Sequence, residues 1–315
     1  MQTGRVMVDR IPGGRPVGTY SIVARDDAGA LGVAVQSHWF NVGAVVPWVE
    51  AGVGAVAVQS ISDPSTGERA LGLLRSGKRP DAALAAILDG DADAAYRQIA
   101  IVDANGDVAT HTGELCISEA GHRVGDGYSA QANIMDRSTV WAAMAAAFGG
   151  SEGDLVDRLL DALDAAEAEG GDARGRQSAA ILVLPDREGD PSFDLRVEDS
   201  PEPLQELRRL VTLQRSYIEL NRGDRLMAGG EFEDALASYE RAAGMIPDAA
   251  TDGEAAFWAG VAFATTGRVR EALPLLRRAA EVEDRWARLL PRLARSRMLP
   301  NDPALLQRLL SIMER

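Results

Sequence analysis

Read for side chains able to do chemistry, the sequence offers hydroxyls and amides at strand ends rather than a cluster of histidines and acids. Gly18-Thr19 opens "GTYSIVARDDAGALGVAVQS", whose alternating and β-branched residues around a Gly-containing turn predict a hairpin. Two readings of Thr19 stay open: Thr heads many strands as a plain β-former, and a hydroxyl within reach of a base is a nucleophile. Ser21, two residues along, shares the face of Thr19 and is the alternative nucleophile. The phrase "VAVQS" occurs twice and sets Gln36, Ser37, Gln59 and Ser60 at two strand ends. There they either satisfy backbone groups or line a cleft and bind a substrate amide. Thr112-Gly113 supplies a hydroxyl and an N–H, a pair that suits an oxyanion hole as well as a strand ending in a turn; Asn133 is a similar candidate. In "GGDARGRQ", Asp172 and Arg174 either clamp their own loop or leave Arg174 to take a substrate carboxylate bidentately.

Other chemistries find little support. His38, His111 and His122 lack metal-ligand spacing, so neither metal nor cofactor is expected. Cys116 is the single cysteine, with no placed base, and reads as a small buried apolar side chain. Lys78 is the only lysine; any lysine-dependent step must use it or none.

The net charge of −14, from 47 acidic and 33 basic residues, argues against nucleic acid and anionic membrane as partners. No apolar run approaches about 18 residues, and the first residues lack the apolar core of a signal peptide. With one cysteine, the expected compartment is reducing, hence the cytoplasm. At 315 residues and 46% apolar content, two packed domains are expected.

Elements able to position these residues follow from periodicity. Strands are expected over residues 20–25, 31–36, 44–49 and 53–59, then helices over 67–76 and 80–88, the second opened by Pro80. "RQIAIVDANGDVATHTG" predicts a hairpin turning at Asn105-Gly106, and "GYSAQANIM" one further strand. Two helices follow, one capped by Ser138 and one by Ser151, the second ending at Gly170-Gly171. "QSAAILVLP" and "SFDLRV" return as strands. This order predicts an α+β domain with helices outside two antiparallel sheets, a four-layer αββα arrangement.

After Pro201 the pattern is helical only. Gly223 and Gly260, Gly230 and Gly267, Ala235 and Ala272, Leu236 and Leu273, and Ala242 and Ala279 correspond at an offset of 37 residues. Small residues at these positions resemble the tetratricopeptide pattern, with a longer loop over 248–253. Helices at 201–220 and 284–313 are expected to cap the two repeats.

The opening stretch resembles the start of the catalytic domain of N-terminal-nucleophile (Ntn) hydrolases. "TYSIVARDDAGALGVAVQS", "VPWVEAGVGAVAVQS", "RQIAIVDANGDVATHTG", "QANIM", "GGDARGRQSAAILV" and "DLRVEDSPEPLQELRRL" together are similar to the family known as domain of unknown function 1028, over about residues 19–210. The resemblance implies an αββα fold, cleavage of a leader over 1–18, and Thr19 as a nucleophile whose freed α-amine is its base. Proteasome-like members carry a Lys where this chain has Ala51, so Arg, Asn or backbone groups must stabilise charge here. The domains expected are 1–18, 19–200 and 201–315. One functional reading is hydrolysis of an amide in a small or peptide-like substrate. The other is an inactive Ntn-fold scaffold that binds a ligand and engages a protein partner through 201–315. A homo-oligomer is compatible with either.

Overall fold

The computed structural model describes residues 17–63, 65–247 and 250–314. The expected leader therefore lies outside the described residues except for Val17 and Gly18, and so do the first two residues of the 248–253 loop. Two compact units divide between Arg209 and Leu210.

In the first unit, β1 (Thr19–Arg25) and β2 (Leu31–Ser37) form the expected hairpin. They sit centrally in a six-stranded antiparallel sheet with β7 (Gly121–Gly125), β8 (Tyr128–Asn133), β9 (Ser178–Leu184) and β10 (Phe193–Val197), ordered β10-β9-β2-β1-β8-β7. A second sheet, ordered β3-β4-β5-β6, contains β3 (Pro47–Glu50), β4 (Gly54–Ser60), β5 (Arg97–Asp103) and β6 (Val108–Thr112). The strand expected over 44–49 is shortened, because Val42–Ala44 is a 3-10 turn with Asn41 before it at φ 53°. β7 was not expected from the sequence, since its pattern GHRVG carries a single apolar side chain, Val124.

Alternation sorts side chains between layers. Val23, Val33, Val35, Ala55, Ala57, Ala100 and Val102 form one buried cluster on the facing sides of the two sheets. On the opposite side of the smaller sheet, Val56, Val58, Ile99 and Ile101 pack on α1 (Thr66–Arg75) and α2 (Pro80–Leu88). The larger sheet is covered by α3 (Val140–Gly150) and α4 (Leu155–Ala168), which lean on β8 and β7 and on β1 and β2 respectively. Helices thus lie outside two antiparallel sheets. The cap of α4 is Asp154, whose carboxylate accepts the Asp157 N–H at 3.0 Å, rather than the expected Ser151.

The second unit is helical. α5 (Pro203–Gly229) runs through the division, followed by α6 (Phe232–Met245), α7 (Glu254–Thr265), α8 (Val269–Val282), α9 (Arg285–Arg295) and α10 (Pro303–Met313). The 37-residue correspondence is structural. A Cβ on Gly223 would lie 2.4 Å from the Tyr239 ring, and one on Gly260 would lie 2.7 Å from Leu276 Cγ. Tyr239 and Leu276 are themselves 37 apart, so each hairpin closes by setting a large side chain on a bare backbone. Gly230 and Gly267, at φ 79° and 80°, reverse the chain after the first helix of each pair. The span expected as one capping element, 284–313, is two helices, parted around Pro300.

Candidate active site

Thr19 begins β1 between two neighbours. Its register partners are Ser37 on β2 and Asn133 on β8, and all three are fully buried. Before it, Val17 forms an isolated bridge with Ser60 at the end of β4, its N–H donating to the Ser60 oxygen at 2.8 Å. Gly18 thus passes between the ends of the two sheets.

The Gly18 carbonyl receives unusual attention. Arg174 Nη2 donates to it at 2.7 Å, and the Ser37 hydroxyl donates to it as well. The Thr19 hydroxyl is shared between Val17 O at 3.1 Å and Ser37 Oγ at 3.3 Å. Three groups, Thr19 Oγ1, Ser37 Oγ and Gly18 O, therefore form a short relay that ends on the peptide bond preceding Thr19.

Arg174 is fixed in turn by Asp172. Its Nε and Nη2 donate to the two carboxylate oxygens at 3.0 and 2.7 Å, and its own backbone N–H donates to Oδ1 at 2.9 Å. The buried Asp172 side chain also accepts the His38 N–H at 3.0 Å. The expected loop clamp is present, and the same guanidinium still reaches Gly18. Its Nη1 has no hydrogen bond among the described residues, and Arg174 borders an open cleft of about 740 Å³ walled by Trp39, Phe40, Ile117 and Ile134.

Beneath Thr19, the space between the sheets holds amides and hydroxyls where valines stand further along. Ser21 donates to Gln59 Oε1 at 2.7 Å and accepts from Gln131 Nε2 at 2.6 Å. Gln59 Nε2 donates to Thr19 O at 3.3 Å and to Gln98 Oε1 at 2.7 Å; Asn133 Nδ2 donates to the same Gln98 oxygen at 2.9 Å. Gln98 then donates to Thr112 Oγ1 at 2.9 Å, which pairs with His122 Nδ1 at 2.9 Å. Asn133 Oδ1, in contrast, is buried with no hydrogen-bond partner among the described residues.

Of the residues singled out from sequence, Thr19, Ser37, Gln59, Asn133, Asp172 and Arg174 converge here. Four others stand differently. The Ser21 hydroxyl is consumed by its two amide partners, in the middle of a paired strand. Gln36 pairs in register with Tyr20, whose hydroxyl reaches Glu167 on α4, so Gln36 lies on the helix side of the sheet, away from Thr19. Both polar atoms of its amide lack partners among the described residues. Gly113 gives its N–H to Arg97 O at 2.9 Å, which removes the donor an oxyanion hole needs; a Cβ there would meet Ala95 O at 2.2 Å, so packing accounts for the glycine. Thr112 belongs to the polar layer instead.

Lys78 borders a separate cleft with Gly52 and Asp103, at the other end of β4 from Thr19. Ala51 lies exposed in the turn between β3 and β4. Burial pushes the Cys116 thiol up, and Sγ donates to Arg97 O at 3.4 Å. Ser151, inside a G-x-S-x-G string, joins two helices and bonds Asp161, without the strand-to-helix elbow such a nucleophile needs. Burial, with Glu167 beside it, holds the Tyr20 phenol well above its ordinary range.

Sequence reading missed Gln98, Gln131 and Ser129. Gln98 left a signal, a polar residue on a strand whose other inward positions, Ala100 and Val102, are apolar; the inward positions of β8, Ser129, Gln131 and Asn133, are all polar and alternate with small or aromatic residues facing the helices. Among the described residues no group of three or more His, Cys, Asp or Glu is placed to hold a metal ion. None of the described helices is long and apolar enough to cross a membrane.

Against known proteins, the model of a family of unknown function, DUF1028, matches residues 19–207, beginning at Thr19. The chain is similar to protein SPO2555 from Silicibacter pomeroyi, a crystal structure assigned to the same family. Identity is 34% and the TM-score 0.58, with 62% of this chain and 84% of that one covered. It also aligns with Anbu, the ancestral beta-subunit, from Yersinia bercovieri, at 12% identity and a TM-score of 0.33 over 60% of this chain and 91% of that one. No curated protein matches.

Proposed function

Since the chain belongs to the DUF1028 family, whose function is unknown, we propose its activity from the site itself: an Ntn-type amide hydrolase that releases Thr19 by self-cleavage at Gly18-Thr19. One observation carries the reading. The Gly18 carbonyl, the group such a cleavage must activate, accepts hydrogen bonds from both Arg174 and Ser37 while the Thr19 hydroxyl stands beside it.

The steps balance without an outside base. Thr19 Oγ1 adds to the Gly18 carbonyl carbon and passes its proton to Ser37 Oγ, whose own proton moves to the Gly18 oxygen. Arg174 stabilises the charge that develops there. Collapse breaks the C–N bond, the nitrogen takes up the proton, and Gly18 is left as an ester on Thr19. Water hydrolyses that ester, freeing a carboxylate at Gly18 and restoring the Thr19 hydroxyl beside the α-amine already released.

In the mature site a substrate carbonyl oxygen occupies the place vacated by Gly18 O. The α-amine takes the hydroxyl proton as Oγ1 attacks, and the unpartnered Asn133 Oδ1 accepts a hydrogen bond from it. Ser37 and Arg174 then act as the oxyanion hole, the role Thr112-Gly113 was expected to fill.

The α-amine must be neutral to act as base, and its ordinary pKa is about 7.7–8.0. The nearby guanidinium favours the neutral form. Hydrolysis of arylamides by leaderless protein should therefore be level at and above about pH 8 and fall only as pH drops below about 7.7, and Thr19→Ala should abolish it. A Thr19→Ala protein that keeps wild-type turnover contradicts the assignment.

For the second unit we propose a tetratricopeptide-like module that engages a protein partner. The reading rests on the two helical hairpins closed in the same way at Gly223 and Gly260.

A further inference from the structure

Gly18 is the acyl group of the first bond this site would break, so its surroundings describe what the site accepts. A side chain on Gly18 has no room. A Cβ built there lies 2.6 Å from Arg174 Nη2, 2.9 Å from Arg174 Cζ and 2.9 Å from Ile134 Cβ. Contacts this short are not made by real Cβ atoms, and neither neighbour yields easily. Arg174 is gripped at Nε and Nη2 by the buried Asp172 carboxylate. The Ile134 Cβ is set by its backbone, which stands at φ 60° and is tied by the Ile134 N–H to Ile117 O at 3.1 Å and by the Ala173 N–H to Ile134 O at 3.0 Å.

The room lies next door. Arg174 and Ile134 also wall the cleft of about 740 Å³, whose other walls include Trp39, Phe40 and Ile117. Phe40 and Ile117 are 62% and 47% exposed, an apolar surface left uncovered at the mouth of a site otherwise lined by amides.

Resting on the nucleophile reading above, we propose that the mature site hydrolyses amides whose carbonyl carries an unbranched CH2 and whose acyl remainder is apolar, as in an N-benzoylglycyl amide. The substrate carbonyl carbon takes the place of the Gly18 carbonyl carbon and its α-methylene the place of Gly18 Cα. Thr19 Oγ1 bonds to that carbon and the C–N bond breaks. The amine leaves with the proton drawn from Thr19 Oγ1, and water releases the acid. An α-branched acyl group meets the same two walls as a side chain on Gly18, and apolar substituents beyond the methylene gain the contact of Phe40 and Ile117.

The test compares N-benzoylglycyl and N-benzoyl-L-alanyl p-nitroanilides as substrates of the purified full chain, with its intact mass recorded in parallel. The glycyl substrate is expected to be cleaved with kcat/KM about tenfold to a hundredfold above the alanyl one. Ile134→Gly, which removes one wall and suits the positive φ, is expected to narrow that ratio, and exchange of benzoyl for acetyl to lower turnover. A chain that has lost its leader yet cleaves both substrates equally, or neither, overturns this inference and leaves the nucleophile reading standing. A chain that keeps its leader overturns both.

Discussion

Thr19 is chemically an ordinary alcohol, and what distinguishes it is the company of its preceding carbonyl. Ser37 and Arg174 both spend a donor on Gly18 O, although a strand end needs no such reinforcement. Ser37→Ala removes one donor and the middle of the proton relay at the cost of a single oxygen. Leader release should slow by about 10²–10³-fold, the usual effect of losing one oxyanion donor, as followed by mass over time. Release at the wild-type rate would mean that Ser37 only packs. At this scale much was legible. Thr19, Ser37, Gln59, Asn133, Asp172 and Arg174 all stood out as polar residues in apolar or Gly-rich settings, and they meet. Gln36 misled because "VAVQS" does not say which of two adjacent polar residues faces inward. A shift of one residue changes the face, and only pairing with Tyr20 settles it. Gly113 misled because a free N–H in sequence is taken by Arg97 in space.

Elements were legible where periodicity was strong and obscure where structure answers to distant partners. The β1–β2 hairpin, the β5–β6 hairpin and α2 lie where alternation, Asn105-Gly106 and Pro80 put them. β7 escaped because an edge strand with an exposed middle shows no alternation. The cap of α4 moved from Ser151 to Asp154 because Ser151 turns its hydroxyl to Asp161. In the helical unit the 37-residue offset could be read directly, since small residues at helix crossings leave a mark in sequence. Gly223→Ala sets a methyl 2.4 Å from the Tyr239 ring. It should cost about 1–3 kcal/mol in that unit through overpacking, seen as a lower urea midpoint of the helical transition. Unchanged stability would show that α5 and α6 have room to part.

The molecule as a whole is built as two compact units. Every residue assigned to the chemistry lies before Arg209, where two sheets meet at their ends and a layer of amides replaces the valine core. Such a layer is costly unless each member is bonded. Most are; Asn133 Oδ1, which has no partner among the described residues, belongs to the residue paired in register with Thr19. Fold class and the break to helices were legible from the order of elements; the polar layer was not, because it joins residues from five strands. The central claim is that Thr19 becomes a free N-terminus, and intact mass with N-terminal sequencing of purified wild-type and Thr19→Ala chains tests it most directly. The account predicts wild type beginning at Thr19 and the variant retaining Gly18 and all that precedes it. Wild-type protein that still carries Gly18 after prolonged incubation would contradict it.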